Sequence, residues 1–372
     1  MSWNWQHPEW PRFRFDAKRI EEAETSFLRH GGVLIGALKH LTPDDETELV
    51  AETATSEALT TSAIEGEILD RQSVRSSILR ELCLQVDRRA GPREQGVARL
   101  MVNLLRRGTD ELSHQTLWDW HEMLMLDRSD LSAVGAYRSH PEPMRIVSGR
   151  WGRESVHFEA PPSERVREEM DRFVLWFNDS RGDLAPVARS GIAHLYFESI
   201  HPFEDGNGRI GRAIAEVALA QGLGQSSLVM LSTEIESRQK RYYEALERAS
   251  KGLEITDWLE WFSDLVLNAQ LRTLSWVDFV IAKTRLLDRI REKINPRQER
   301  ALLRIFREGP EGFQGGLSSG NYQTITGASP ATAGRDLSEL VAWGALMRSG
   351  TGKGTRYWLN VPQLKTPHPN SR

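Results

Sequence analysis

The sequence predicts a mainly α-helical protein, interrupted once by a short β-hairpin and followed by a separate C-terminal unit of helices and a second hairpin. Three observations carry this reading. Apolar residues recur at helical spacing through most of residues 17–290. Residues 144–162, MRIVSGRWGRESVHFEAPP, break that rhythm with short β-prone runs around Gly149 and Gly152. After residue 296 the composition shifts to short amphipathic runs and a Gly-rich turn.

The elements follow in order. Thr42, Pro43, Asp44 and Asp45 form a helix start: a hydroxyl cap, proline at the first helical position, then acids where the helix dipole is positive. The hairpin of 144–162 is closed by Pro161 and Pro162. Leu195, Ile200, Ile210, Ile214 and Val217 are helix-spaced on both sides of a glycine-rich string. Trp258, Trp261, Phe262, Leu265 and Val266 make a further apolar stripe that reads as core. Ala301, Leu302, Ile305 and Phe306 give a short amphipathic helix, and Ser329-Pro330 starts another that stops at Gly344. ALMRS and TRYWLN then flank GTGKG as a hairpin. Helix, helix-turn-helix, hairpin is the order of a winged helix. The expected divisions are a Trp-rich accessory segment over 1–40, a helical core over 41–290, the winged helix over 296–361, and a polar, proline-rich tail over 362–372 expected to be disordered.

Composition narrows the function. A chain of 372 residues with 39% hydrophobic content can fill two or three cores. A net charge of -4 and 27% charged residues exclude a nucleic-acid coat and a membrane-surface binder. No stretch approaches the roughly 20 apolar residues of a membrane span, and MSWNWQHPEWPRFRFD does not read as a secretion signal. The single cysteine, Cys83, allows no internal disulfide and is expected as a small buried residue in a reducing cytoplasm.

The string HPFEDGNGRIGR, residues 201–212, contains a literal G-x-G-x-x-G. A dinucleotide fold would need a strand before the first glycine and an acid about 20 residues on. VARSGIAHLYFESIHPF is instead spaced as a helix, so that reading fails on context. The anion chemistry survives. Gly206, Asn207 and Gly208 before a helix let backbone N–H groups converge on phosphate. Arg209 and Arg212 share a helix face and can fork onto phosphate oxygens. Asp205 suits Mg²⁺, which takes one carboxylate with phosphates and water. His201 can accept a proton from an incoming nucleophile. Singly, each of these residues suits a turn; together within twelve positions they are hard to explain as structure.

The string matches H-x-F-x-[DE]-G-N-G-R-x-x-R at every defined position and so resembles the Fic family signature. The resemblance implies an all-helical Fic core with a short β-hairpin flap, and transfer of AMP from ATP to a hydroxyl of a target protein. It makes His201 the base toward a Ser, Thr or Tyr, Phe203 a core anchor for the loop, and Asp205 the Mg²⁺ ligand. Gly206, Asn207 and Gly208 would cradle the α and β phosphates, with Arg209 also on the phosphates and Arg212 on the γ-phosphate. GAYR at 135–138 and the hairpin resemble the flap region, whose edge would pair with an extended target segment. Tyr242 and Tyr243 resemble the stretch near the adenine pocket, where stacking and core packing both suit them.

TSAIEG, residues 61–66, resembles the inhibitory pattern of the same family. In a helix Thr61 and Glu65 share a face, and Gly66 is expected to let another backbone approach closely. The resemblance implies a Glu65–Arg212 salt bridge that withholds the γ-phosphate site. The same Glu65 would alternatively position water for removal of AMP, and the phosphate site leaves the transferred nucleotide open. The C-terminal unit carries eight basic against five acidic residues over 296–361. Arg335 and Lys353 there suit DNA, which would make the core a nucleotide sensor, while protein docking or dimerisation suits the same fold. A cytoplasmic homodimer without membrane contact is the expected setting.

Overall fold

The computed structural model describes residues 2–83, 90–150, 153–313 and 315–361; the hairpin tip at 151–152 and the tail expected to be disordered lie outside them. Helices α1 (Glu21–Leu38), α2 (Pro43–Ile64), α3 (Arg71–Glu81), α4 (Pro92–Arg107) and α5 (His114–Leu124) precede the antiparallel pair β1 (Arg145–Arg150) and β2 (Arg153–Glu159). Then come α6 (Ser163–Asp179), α7 (Pro186–Ile200), α8 (Asn207–Leu223), α9 (Leu231–Ser237), α10 (Gln239–Ala249) and the long α11 (Thr256–Ile290). The chain ends in α12 (Pro296–Phe306), α13 (Ser319–Thr326), α14 (Pro330–Ala342) and the hairpin β3 (Leu346–Ser349) with β4 (Arg356–Leu359). The protein is thus mainly helical, with small two-stranded sheets.

Two compact units result, residues 1–35 with 50–273, and residues 36–49 with 274–372. These bounds differ from the sequence divisions in three places: residues 36–49 fall with the second unit, and two further differences each have a physical cause. The N-terminal segment is no separate accessory: Trp3, Trp5 and Trp10 are buried in the first unit's core. The Trp10 Nε1–H donates to Glu169 and its ring meets Tyr196 edge-on at 5.0 Å. At the other end, α11 runs unbroken past residue 273, so Phe279, Leu286 and Ile290 belong to the second unit's core with Leu302, Ile305 and Leu337.

The first unit is organised around α7 and α8. Helix α7 is apolar nearly all round and thirteen of its fifteen residues are buried, as befits a core helix rather than a surface one. Its first N–H groups lie inside the protein and need acceptors. Glu24 of α1 supplies them, accepting from Val187 N at 3.0 Å and Ala188 N at 2.7 Å. Burial pushes the Glu24 carboxyl up, and these two N–H donors pull against it. Helix α8 is rich in alanine where it is buried, so it packs closely.

In the second unit α12 opens on a capping box between Asn295 and Gln298. Asp336 of α14 is buried and accepts from Tyr322 Oη at 2.8 Å and Arg297 Nε at 3.1 Å, so the three helices share one polar tie. A bridge from Leu317 to Tyr357 adds a third short contact to the β3–β4 pair.

Cys83 departs from expectation. It is exposed, with φ of +68°, one residue past the cap of α3 where the chain leaves the helix. Position in the chain, not side-chain size, decides its exposure.

Candidate active site

The last turn of α7 sets the site. His201 caps that helix in a left-handed conformation, φ +50° and ψ +60°, which costs a non-glycine residue roughly 1 kcal/mol or more. A buried guanidinium holds it there: Arg138 Nε donates to His201 O at 2.8 Å and Nη2 to Pro161 O at 2.6 Å. The Arg138 N–H also donates to Pro202 O at 2.9 Å. The sequence pointed to GAYR as part of the flap region; its arginine in fact clamps the loop to the end of the hairpin.

Phe203 is fully buried and stacks on His121, with ring centroids 4.3 Å apart at 10°. Burial pulls His121 down to about 4, so it is neutral, and its Nδ1 accepts from Gly135 N at 3.0 Å. The Asn207 side chain clips the loop from within: its Oδ1 accepts from Phe203 N at 2.9 Å and its Nδ2 donates to Phe203 O at 2.8 Å. The Asn207 side-chain amide is thus spent on the loop, which leaves its backbone N–H to face an anion.

Gly206 takes φ +79° as the cap of α8, and a Cβ there would stand 2.5 Å from Met125 Cε. The left-handed conformation therefore calls for glycine, while the Met125 methyl, at the end of a flexible side chain, could move aside. Beyond it lie the first-turn N–H groups of α8, which have no intrahelical acceptor. Asp205 borders this turn. Burial opposes its ionisation, but Arg128, the Gly206 N–H and Arg209 hold its carboxyl below the usual range. Asp205 pairs with Arg128 and accepts from Gly206 N at 2.5 Å.

Arg209 and Arg212 project from the same face of α8, and both are buried. Each is met by an acid from the segment after α2. Glu65 Oε1 accepts from Arg212 Nη2 at 2.8 Å, the ion pair expected between these two. Thr61 adds its hydroxyl, accepting from Arg212 Nε at 2.9 Å, and its carbonyl, accepting from Nη2 at 2.9 Å. Glu67, which the sequence did not single out, pairs with Arg209 at 2.8 Å. Gly66 between the two acids has φ +81° and open space where a Cβ would sit. The expected close backbone approach is absent at Gly66; the glycine is needed for its conformation, which turns the chain so that both carboxylates reach α8. Glu65 also lies over the first turn of that helix, with Oε1 2.3 Å from where a Gly208 Cβ would be.

A cavity of about 680 Å³ opens beside these groups, within the range of small-molecule sites. Glu65, Glu198, His201, Gly208, Arg212, Tyr242 and Tyr243 are among its lining residues. The two tyrosines divide the alternatives left open by the sequence. Tyr242 is a core residue, 1% exposed, hydrogen bonded to His194 Nε2 at 2.8 Å. Tyr243 is 45% exposed and free to face a ligand, its hydroxyl 3.5 Å from the last carbonyl of α2. The cavity wall continues into the hairpin through Ile146, Val147 and Phe158. Phe158 is buried against Trp3, whereas Ile146, Val147 and Val156 stay exposed.

Known proteins resemble this chain in sequence and in fold. Residues 111–219 match the Fic/DOC family, and residues 3–84 match a family described as a domain of unknown function, DUF4172. The chain is similar to protein adenylyltransferase fic-1 of Caenorhabditis elegans, 29% identical over 154 residues, which is 41% of this chain and 27% of the relative. It is 34% identical over 95 residues to the probable protein adenylyltransferase aq_aa38 of Aquifex aeolicus, 26% of this chain and 27% of that one. The match thus spans about a quarter of the length of these curated relatives. Among solved structures, a Fic family protein from Desulfovibrio desulfuricans G20 superposes with a TM-score of 0.54 at 24% identity, covering 94% of this chain and 98% of the other, a likeness of fold. The glycine-capped helix, the left-handed histidine before it and the two buried arginines thus lie inside the stretch where this chain carries a Fic/DOC domain.

Proposed function

We propose that this protein is an adenylyltransferase that moves AMP from ATP to a Ser, Thr or Tyr hydroxyl of a target protein, and that Glu65 holds it back. One observation supports this best: His201, the first turn of α8 and Arg212 border a single cavity of nucleotide size. The triphosphate would lie on the N–H groups of Gly206–Gly208, with Arg209 and Arg212 on its outer oxygens. His201 would take the proton of the target hydroxyl as that oxygen attacks the α-phosphorus. The exposed hairpin strand offers backbone groups that would align an extended target segment.

Asp205 fits a magnesium ion: an ionised, partly exposed carboxylate beside the phosphate turn, where phosphates and water would complete the shell. Such an ion would neutralise phosphate charge, and Arg128 would have to yield part of the carboxylate. The name protein adenylyltransferase borne by the relatives supports the transfer of AMP. The Glu65–Arg212 pair supports the brake, because the guanidinium that would take the γ-phosphate already has three acceptors.

Mass spectrometry after incubation with ATP and Mg²⁺ tests both parts. Glu65→Gly should gain one AMP by self-modification, about 10- to 100-fold faster than wild type, the worth of one charge-assisted hydrogen bond to phosphate. Adding His201→Ala to it should lower transfer by about 10²-fold or more while nucleotide binding persists. Equal labelling of wild type and Glu65→Gly would remove the brake. Labelling that survives His201→Ala would remove the proposed base.

For residues 296–361 we propose a winged helix. Arg335 on α14 and Arg348 and Lys353 on the hairpin are all exposed, which favours duplex DNA as its ligand. Binding by the full chain that weakens steeply with salt would support this.

A further inference from the structure

Glu198 is the acid that neither the signature nor the family match singles out, and it lies directly beneath the proposed base. We propose that Glu198 is a positioning residue for His201: it accepts a hydrogen bond from the Nδ1–H, which leaves Nε2 bare toward the cavity. This rests on the transferase reading above and adds to it what sets the reacting nitrogen.

Four observations carry it. Glu198 Oε2 stands 3.5 Å from His201 Nδ1, about 0.3 Å beyond an ordinary hydrogen bond, as unliganded sites often are before substrate tightens them. His201 Nδ1 is buried and has no other partner, so an imidazole proton there can go only to Glu198. The ring keeps 12% of its side chain exposed and lines the cavity. Finally, Glu198 is seated against α8: its Oε1 is buried, 2.6 Å from where a Gly211 Cβ would be, so the glycine leaves the room in which the carboxylate sits beside the histidine. The next residue is fixed as well, since Ser199 Oγ accepts from Asn4 Nδ2 at 2.7 Å. Burial opposes ionisation of Glu198, but His201, His194 and Arg212 around it hold its carboxyl below the usual range.

The chemistry then balances. The target O–H bond breaks and its proton goes to Nε2, while the oxygen forms a bond to the α-phosphorus of the nucleoside triphosphate. The bond from that phosphorus to the bridging oxygen breaks, and pyrophosphate leaves with the electron pair. The imidazolium so formed keeps its Nδ1–H on the Glu198 carboxylate, an opposite charge in a site shielded from water. Free imidazole would offer either nitrogen; Glu198 selects one before substrate arrives.

The test uses ¹⁵N-histidine-labelled full-length protein at a pH of about 8.5, above the ordinary imidazole range near 6.5. Long-range ¹H–¹⁵N spectra distinguish a protonated from a bare ring nitrogen, and His201→Ala assigns the signal. Wild type should show Nδ1–H with bare Nε2, and Glu198→Ala should lose that preference. The opposite tautomer in wild type, which needs no variant, would overturn the proposal. In the Glu65→Gly background, Glu198→Ala should then lower kcat by about 10²-fold with KM for ATP changed less than about 3-fold. A kcat within 3-fold of the parent would also overturn it. Because the tautomer is read without ATP, a protein that shows it yet transfers no AMP would indict the transferase reading alone.

Discussion

The loop at 201–206 and the segment at 61–67 both border the start of α8, but they are held by different forces. The loop is fastened from inside the core, by the fully buried Phe203 and by the Asn207 amide and the Arg138 guanidinium on its backbone. The segment is anchored by the buried Ile64, but its end at Glu65–Glu67 is fastened across a seam by polar contacts. Glu65 and Glu67 take Arg212 and Arg209, while Gln239 Nε2 and Tyr243 Oη donate to the carbonyl of Ile64 at 3.0 and 3.5 Å. Core packing cannot be exchanged for a ligand without unfolding. An ion pair with arginine can be exchanged, because a phosphate is an equal or better partner. One region is thus built to stay and the other to be displaced.

The contrast breaks first at Phe203. Phe203→Ala removes a fully buried ring and should destabilise the protein by about 3–5 kcal/mol in denaturant titration. A loss below about 1 kcal/mol would mean the loop is not anchored by packing. On the other side of the seam, Glu67→Gln in the Glu65→Gly background should tighten ATP binding about 3- to 10-fold by calorimetry, since it frees Arg209 without opening a cavity. Unchanged affinity would reduce Glu67 to a structural tie.

The smallest effect tests where the segment joins the core. On α2, two turns before Glu65, Glu57 accepts from Ser232 N at 2.7 Å and Thr233 N at 3.0 Å. Burial and the Glu57 charge push the Glu216 carboxyl of α8 well above its usual range. A carboxyl raised in the fold costs nothing below its unfolded value near 4.5, where both states are protonated. As pH rises above that value the unfolded chain ionises and the folded one resists, so stability falls until the folded group titrates too. Glu216→Gln should therefore add about 1 kcal/mol at pH 8 and almost nothing at pH 4, read from paired denaturant curves. An equal effect at both pH values would show that this carboxyl does not titrate abnormally.

The site was legible in the sequence where backbone demands fix residue types. A left-handed cap, a crowded helix start and two arginines within one turn leave few alternatives, so HPFEDGNGRIGR reads at a glance. Glu67 and Glu198 were not legible, because a lone acid on a helix or turn looks solvated until its partner is known. Their only signal was spacing, two residues past Glu65 and three before His201. Tyr242 and Tyr243 are adjacent and alike, and only burial separates them. The fold was legible in its helices, its hairpins and its order of elements. Its domain edges were not, since α11 passes from one unit to the other with no change of periodicity, and a Trp-rich start looks like an appendage until its indoles find acceptors in the core.

Those indoles bear on how the protein is made. Asn4 N donates to Ser250 O at 2.7 Å, Arg14 N to Leu253 O at 2.8 Å, and the Asn4 side chain reaches Ser199 beside the proposed base. These are closures over some two hundred residues or more, the slow kind in which loop entropy is spent before contacts repay it. A chain leaving the ribosome must keep the indole N–H groups of Trp5 and Trp10 unsatisfied until Glu159 and Glu169 have been made, and the backbone N–H groups of Asn4 and Arg14 until Ser250 and Leu253 have been made. The floor under His201 is therefore among the last parts of the first unit to set, and a nascent chain holds the complete signature before it holds a finished site.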